Sequence, residues 1–308
     1  SREFAMRIIT LGILLGLLAG CSKPPATEVA TSQPDAASTK QAQRFKVILN
    51  GNVVGHLYAT HQGNDISIDY DFKSNGRGPA YKEQISLNAQ GIPQSWTISG
   101  NTTFGNPVEE QMQINAGQAT WRDATGPGEA RLDSSALYVP QNSSPYQAYI
   151  MARALMNTEG KSLAALPAGT LNLTALETLQ VQSEEGPVTL NTFALAGADL
   201  DPDYLILDGN KQFFAYITPR LIVIREGFEA EEAKLRQLSA KYSTERFEAL
   251  QSEFAHHYQG AVRIRNVRVF QPQSLSLTEP VSVLVNGENI TAIEPLEIAT
   301  QAGETEID

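Results

Sequence analysis

A mainly β fold with a few helices, α+β in class and built on antiparallel strands, is the architecture this sequence predicts. Three observations carry the prediction. Apolar and polar residues alternate with period two through much of residues 45–225, as half-buried strands require. Turn signals such as Asn50-Gly51 and Gly63-Asn64 recur at roughly 8–12 residue intervals, the spacing of a meander or sandwich. Helical spacing is confined to two stretches, residues 142–156 and 231–258.

Composition narrows the function classes. The chain has 308 residues, enough for one or two domains, with 42% hydrophobic and 19% charged residues. Its formal net charge of -11 repels polyanions, so nucleic acid is not expected as a partner. The single cysteine, Cys21, leaves no intramolecular disulfide and no zinc site built on several thiolates.

The elements follow in chain order. Residues 6–21 read MRIITLGILLGLLAGC: one Arg, an apolar run from Ile8 to Leu18, then small residues before the cysteine. The run is too short for a ~30 Å hydrocarbon core and suits a secretory signal. Leu18-Ala19-Gly20-Cys21 resembles a bacterial lipobox, which implies cleavage before Cys21 and lipidation of its thiol. The expected location is the cell envelope, lipid-anchored and facing the periplasm or cell surface. Ser22 in place of an aspartate favours the outer membrane by the same resemblance. Residues 1–5 do not belong to such a signal and read as vector-derived or upstream residues. Residues 22–43 are rich in Ser, Thr, Ala, Pro and Gln without an aromatic, too polar to fold, and read as a disordered tether.

Residues 44–225 read as a β-rich domain. Ile66, Ile68, Tyr70 and Phe72 share one strand face, and Ser67, Asp69 and Asp71 the other. Asp208-Gly209-Asn210 signals a further hairpin. Pro145 suits the first turn of a helix in which Tyr149, Ala152 and Met156 share a face. Residues 226–258 read as a helical pair: Leu235, Leu238 and Tyr242 form one stripe, Phe247, Leu250 and Phe254 another, with Ser243 and Thr244 placed to cap between them.

A catalytic or metal-ligating set does not emerge. His56 and His61 fall on opposite faces of a strand, and His256 and His257 are adjacent on a helix end, about 100° apart. Glu109-Glu110 and Glu184-Glu185 are neighbours that a strand points to opposite faces. Residues 74–79, SNGRGP, lack the Lys-Ser/Thr of a phosphate loop and read as a turn.

Residues 259–308 carry a resemblance. Ile264, Asn266, Val267, Val269 and Phe270 form a strand; Val283, Val285, Gly287, Ile290, Ala292, Ile293 and Pro295 form a hairpin after a short loop. This order resembles the opening of the amidohydrolase superfamily of metal-dependent hydrolases, with Gln271 in place of the Asp often found after the Phe. The resemblance implies the first strands of a β-sandwich that flanks a (β/α)8 barrel. It implies a divalent, zinc-like metal for that barrel, whose His-x-His ligands have no counterpart in this sequence. No catalytic, cofactor-binding or metal-binding residue is therefore carried over. Residues 45–258 more loosely resemble the extra domain ahead of the barrel in some secreted members.

Two functions stand. In the first, the chain is the N-terminal, non-catalytic portion of a membrane-tethered amidohydrolase-like enzyme that hydrolyses amide or other C–N bonds in a small-molecule or peptide substrate. In the second, it is a complete lipoprotein acting as a ligand- or partner-binding module. Two or three strands alone are marginal in water, so residues 261–308 are expected to pack weakly on the helical pair or to be poorly ordered.

Overall fold

The computed structural model describes residues 41–308; Cys21 and the signal-like segment lie outside the described residues. The chain is mainly β, as the alternation predicts. Eight strands come first: β1 (Gln41–Leu49), β2 (Asn52–Gln62), β3 (Asp65–Phe72), β4 (Ala80–Leu87), β5 (Pro93–Asn101), β6 (Pro107–Asn115), β7 (Gln118–Asp123) and β8 (Gly126–Arg131). Each pairs antiparallel with the next. The turn chemistry is as expected at Asn50-Gly51, where both residues take positive φ in the manner of a tight hairpin. Strand β1 takes in residues 41–43, which composition assigns to the tether. The reason is pairing: β2 is long enough to offer partners for them.

The second half starts with β9 (Ala136–Tyr138), α1 (Tyr146–Met156) and β10 (Ser162–Leu166). Strands β9 and β10 are parallel neighbours, and such a pair needs a crossover connection; α1 is that crossover. The chain then returns antiparallel through β11 (Thr170–Ser183), β12 (Gly186–Ala196), β13 (Asp203–Asp208), β14 (Phe213–Ile217) and β15 (Leu221–Arg225). Strand β15 closes onto β1 from Phe45↔Arg225 to Leu49↔Leu221. One sheet of fifteen strands results, in the order β8-β7-β6-β5-β4-β3-β2-β1-β15-β14-β13-β12-β11-β10-β9.

That sheet is strongly curled. Laid flat, β7 and β9 would stand tens of ångströms apart at ~4.8 Å per strand. Yet the rings of Trp121 on β7 and Tyr138 on β9 are 6.1 Å apart. Helix α1 fills the interior of the curl. Its buried residues are Tyr146, Ala148, Tyr149, Ile150, Met151, Ala152, Ala154 and Leu155. The single face suggested by Tyr149, Ala152 and Met156 is thus too narrow: apart from Gln147, Arg153 and Met156, which are half-buried, the helix is apolar and enclosed on nearly every side. Inward residues of β2 to β7 join it in one apolar cluster, among them Leu57, Ile68, Ile85, Trp96 and Met112. Gly100 lets two strands approach closely there. Its φ is 143°, and a Cβ would lie 1.9 Å from the Ala80 carbonyl oxygen.

The outer face is covered only in part. Helix α2 (Glu232–Phe254) packs Leu235 and Tyr242 against Ile206, Phe214, Ile222 and Ile224. Strands β13, β14 and β15 are therefore buried on both faces, which is why YLIL, FFAYI and LIVI run apolar without alternation. The expected helical pair is one continuous helix. Ser243 and Thr244 do not interrupt it, because both residues are tolerated inside a helix whose preceding turn is already docked. The two stripes differ in fate: Leu235 and Tyr242 are buried, whereas Phe247 and Phe254 are 66% and 63% exposed.

The last residues form β16 (Val262–Val267), β17 (Phe270–Gln271), β18 (Ser276–Leu277), β19 (Val281–Asn286), β20 (Asn289–Pro295) and β21 (Thr305–Ile307). Four of them make a separate sheet, β20-β19-β16-β21. The expectation of two or three marginal strands misses β21, which is short and follows a loop, and which pairs parallel with β16. Among the described residues, the side-chain hydrogen bonds and ion pairs of residues 261–308 stay within that stretch.

Leu155→Ala, inside the curl, should lower the unfolding free energy by about 3 kcal/mol. Phe254→Ala, on the exposed half of α2, should change it by less than about 0.5 kcal/mol. Urea titrations of the two variants check both values.

Candidate functional site

The structure disperses the ionisable residues that the sequence singles out. His56 and His61 point to opposite sides of β2. His56 stacks on Tyr58 and lies 3.5 Å from Asp69. His61 faces inward, 2.7 Å from the Tyr146 hydroxyl, and burial followed by the nearby Arg153 charge lowers its pKa. His256 and His257 lie exposed just beyond the end of α2. Glu184 and Glu185 sit in the tip of the β11–β12 hairpin rather than on a strand. Residues 74–79 form a turn closed by a Ser74–Arg77 bridge. Among the described residues, no group of three or more His, Cys, Asp or Glu is placed to hold a metal ion.

Two carboxylates are buried inside the curl: Glu83, which the sequence did not single out, and Glu110, the inward member of the Glu109-Glu110 pair whose two side chains point to opposite faces as expected. Glu83 on β4 is fully buried and Glu110 on β6 nearly so. Glu83 accepts bonds from Trp96 Nε1 at 2.9 Å and from the Ser144 amide at 2.6 Å. Glu110 accepts from the Tyr138 hydroxyl at 2.7 Å and from the Gln141 and Asn142 amides at 2.9 and 3.1 Å. Both therefore satisfy backbone N–H groups of the loop that leads into α1. Burial raises the Glu83 carboxyl to about 7, against the bonds from Ser144 and Trp96 that favour its charge. Burial also raises Glu110, against the bonds from Tyr138, Gln141 and Asn142. The signal was legible: each Glu occupies an inward position, between Tyr81 and Ile85 or between Val108 and Met112.

A cleft of about 420 Å³ opens where α2 runs past the sheet. One wall is apolar, from Phe247 and Leu250 on α2 with Ile217 and Pro219 opposite. The other is acidic, with Asp199 and Asp201 on the segment that leads into β13 and Asp203 at the start of that strand. Asp203 accepts a 2.7 Å bond from the Tyr216 hydroxyl, and burial raises its carboxyl. Ser239 lines the cleft. It is fully buried, and among the described residues its Oγ has no hydrogen-bond partner.

The C-terminal sheet has two unlike faces. On one, Arg263 is almost fully buried. It bonds Glu304 bidentately at 2.7 and 3.0 Å, Glu294 at 2.7 Å and Ser282 at 3.1 Å. The bond to Arg263 holds the Glu304 carboxyl below its usual range. The opposite face carries Val262, Ile264, Val283 and Ile293, with Ile290, Ile293 and Ile307 exposed by 68%, 55% and 37%. Asn266 sits at φ 55°, where β16 shifts register against β19; Asn tolerates that left-handed position at a bulge. Gly287 takes φ 60° in the β19–β20 turn.

No protein-family model matches the chain, and no curated protein resembles it in sequence. Among solved structures, a β-barrel-like protein of a domain of unknown function from Brucella abortus is similar to it. The two share 8% sequence identity at a TM-score of 0.37, over 59% of this chain and 94% of that one.

The Glu83 carboxyl gives a signed pH dependence. Between its ordinary value of 4.5 and about 7, the folded chain holds a proton there that the unfolded chain releases. Its contribution to stability therefore falls as pH rises through that window and is flat outside it. His61, with its pKa lowered, contributes in the opposite sense near its own ordinary value. A difference between variants isolates Glu83: from pH 5 to pH 8, wild type should lose roughly 2–3 kcal/mol relative to Glu83→Gln. Urea unfolding at both values measures it, and a pH-independent difference would sink the assignment.

Proposed function

We propose that this chain is the N-terminal, non-catalytic portion of a membrane-tethered, amidohydrolase-like enzyme. The observation that carries the reading is the exposed apolar face of the four-stranded sheet. Residues in the order of the amidohydrolase opening build a sheet whose second face leaves Ile290, Ile293 and Ile307 exposed and is composed to be covered. In the family that cover comes from further strands of the sandwich. Asn266 and Gly287 support the resemblance physically, since both stand where left-handed backbone is required.

The metal that this family implies does not fit the residues present. The sequence has no His-x-His, and the described residues offer no ligand group. The divalent metal and the hydrolysis of C–N bonds are assigned to a barrel outside this sequence, and no catalytic step is assigned to this chain. The lipid anchor is proposed at Cys21 on the lipobox resemblance, with the protein held at the cell envelope, on the outer membrane. Among the described residues no helix is long and apolar enough to cross a membrane. The alternative, a ligand- or partner-binding lipoprotein, is favoured by one separate observation, the cleft beside α2.

With zinc added, this chain should show no turnover of amide or cyclic-amide substrates; turnover would overturn the assignment of chemistry to another segment. Reading the gene past the codon for Asp308 tests the rest. A His-x-His-bearing barrel segment there supports the proposal, and a stop codon removes it. In cells, Cys21→Ser should abolish incorporation of labelled palmitate and move the protein out of the membrane fraction.

A further inference from the structure

We infer that the cleft between α2 and the segment leading into β13 is a binding site for a small organic cation, a single ammonium group carried on an apolar body. The inference is independent of how residues 262–308 are read. It rests on the cleft's size, its two unlike walls and one orphaned hydroxyl.

At about 420 Å³ the cleft lies toward the lower end of small-molecule sites. Its apolar wall exists because α2 outruns its docking. Leu235 and Tyr242 hold the first half on the sheet, and the helix then carries Phe247 and Leu250 out over open space. Phe247 is left 66% exposed and offers apolar surface that a ligand in the cleft would bury.

The polar groups fix the sign of the ligand's charge. Asp199 and Asp201 are exposed at the rim, while Asp203 is committed to Tyr216. Arg246 is the cation that lines the cleft, and among the described residues no ion pair is formed by it. Three carboxylates against one guanidinium leave the cleft negative, and Arg246 disfavours a second positive charge. A metal ion does not suit the donor set, nor would it use the Phe247 wall. An ammonium group does suit it. Its N–H donors suit the exposed carboxylates of Asp199 and Asp201 at the rim, and Ser239 Oγ, buried in the cleft lining without a partner among the described residues, is a further acceptor beneath them. A buried hydroxyl left unpaired costs free energy, and a ligand donor removes that cost.

The test is a two-dimensional NMR titration of the full chain with hexylammonium, hexan-1-ol and hexanoate, probes that share an apolar body and differ in head group. Hexylammonium should shift resonances of Ser239, Thr218 and Phe247 saturably, and bind at least about tenfold more tightly than hexan-1-ol, with hexanoate weakest. Asp201→Asn and Asp199→Asn alter exposed side chains and should leave the spectrum folded. Each should weaken hexylammonium severalfold and leave hexan-1-ol unchanged. Ser239→Ala should weaken hexylammonium with an unchanged circular dichroism spectrum. Equal binding of the alcohol, preference for hexanoate, affinity indifferent to both Asp substitutions, or shifts confined to residues away from the cleft would each overturn the proposal.

Discussion

The enclosure of α1 by the curled sheet is the constraint on which the rest of the structure depends. A helix buried on nearly every side has no water to satisfy the groups at its entrance, so the loop that feeds it must find partners inside the protein. Glu83 and Glu110 supply them, accepting the amides of Ser144, Gln141 and Asn142. The cost is two buried carboxylates, whose raised pKa values express the burial directly. The β9–α1–β10 crossover, the single parallel pair among the strands of the large sheet, follows from the same arrangement. The helix lies within the curl because its flanking strands are neighbours in the sheet.

Zipping β1 to β15 gives the enclosure its second condition. Residues about 180 positions apart meet there, joining the β1–β8 meander to the returning half. Where they meet, the sheet is thickest: α1 lies inside, α2 outside, and β13 to β15 between them. Away from that region the outer face is polar and open. The cleft beside α2 is a product of this geometry, since a long helix on a curved sheet can stay in contact only along part of its length.

Much of this was legible in the sequence. Period-two alternation marked the strands of the first half, Asn50-Gly51 marked its hairpin, and Asp208-Gly209-Asn210 marked a hairpin between two apolar runs, the second of which divides into β14 and β15. The curl was not legible, because it depends on β7 meeting β9 and no local signal encodes that. The continuity of α2 was obscured by Ser243 and Thr244, whose capping preference carries weight only when the helix has a reason to stop. Glu83 and Glu110 stood at inward positions in plain view, but their partners are loop amides 31 to 61 residues away. Arg263, buried in a strand that also carries Arg265, became intelligible only with β21 and the turn before it, which bring Glu304 and Glu306 beside the two arginines.

The large sheet ends at β8 and β9, and the composition of both strands bears on how the protein behaves in company. Strand β8 reads GPGEAR, with a proline, two glycines and two charges in six residues, and β9 is three residues long. Neither offers a neighbouring molecule a long, flat ladder of free amides. Two copies meeting at these ends are therefore not stitched into one continuous large sheet, a protection built into the strands at which that sheet stops.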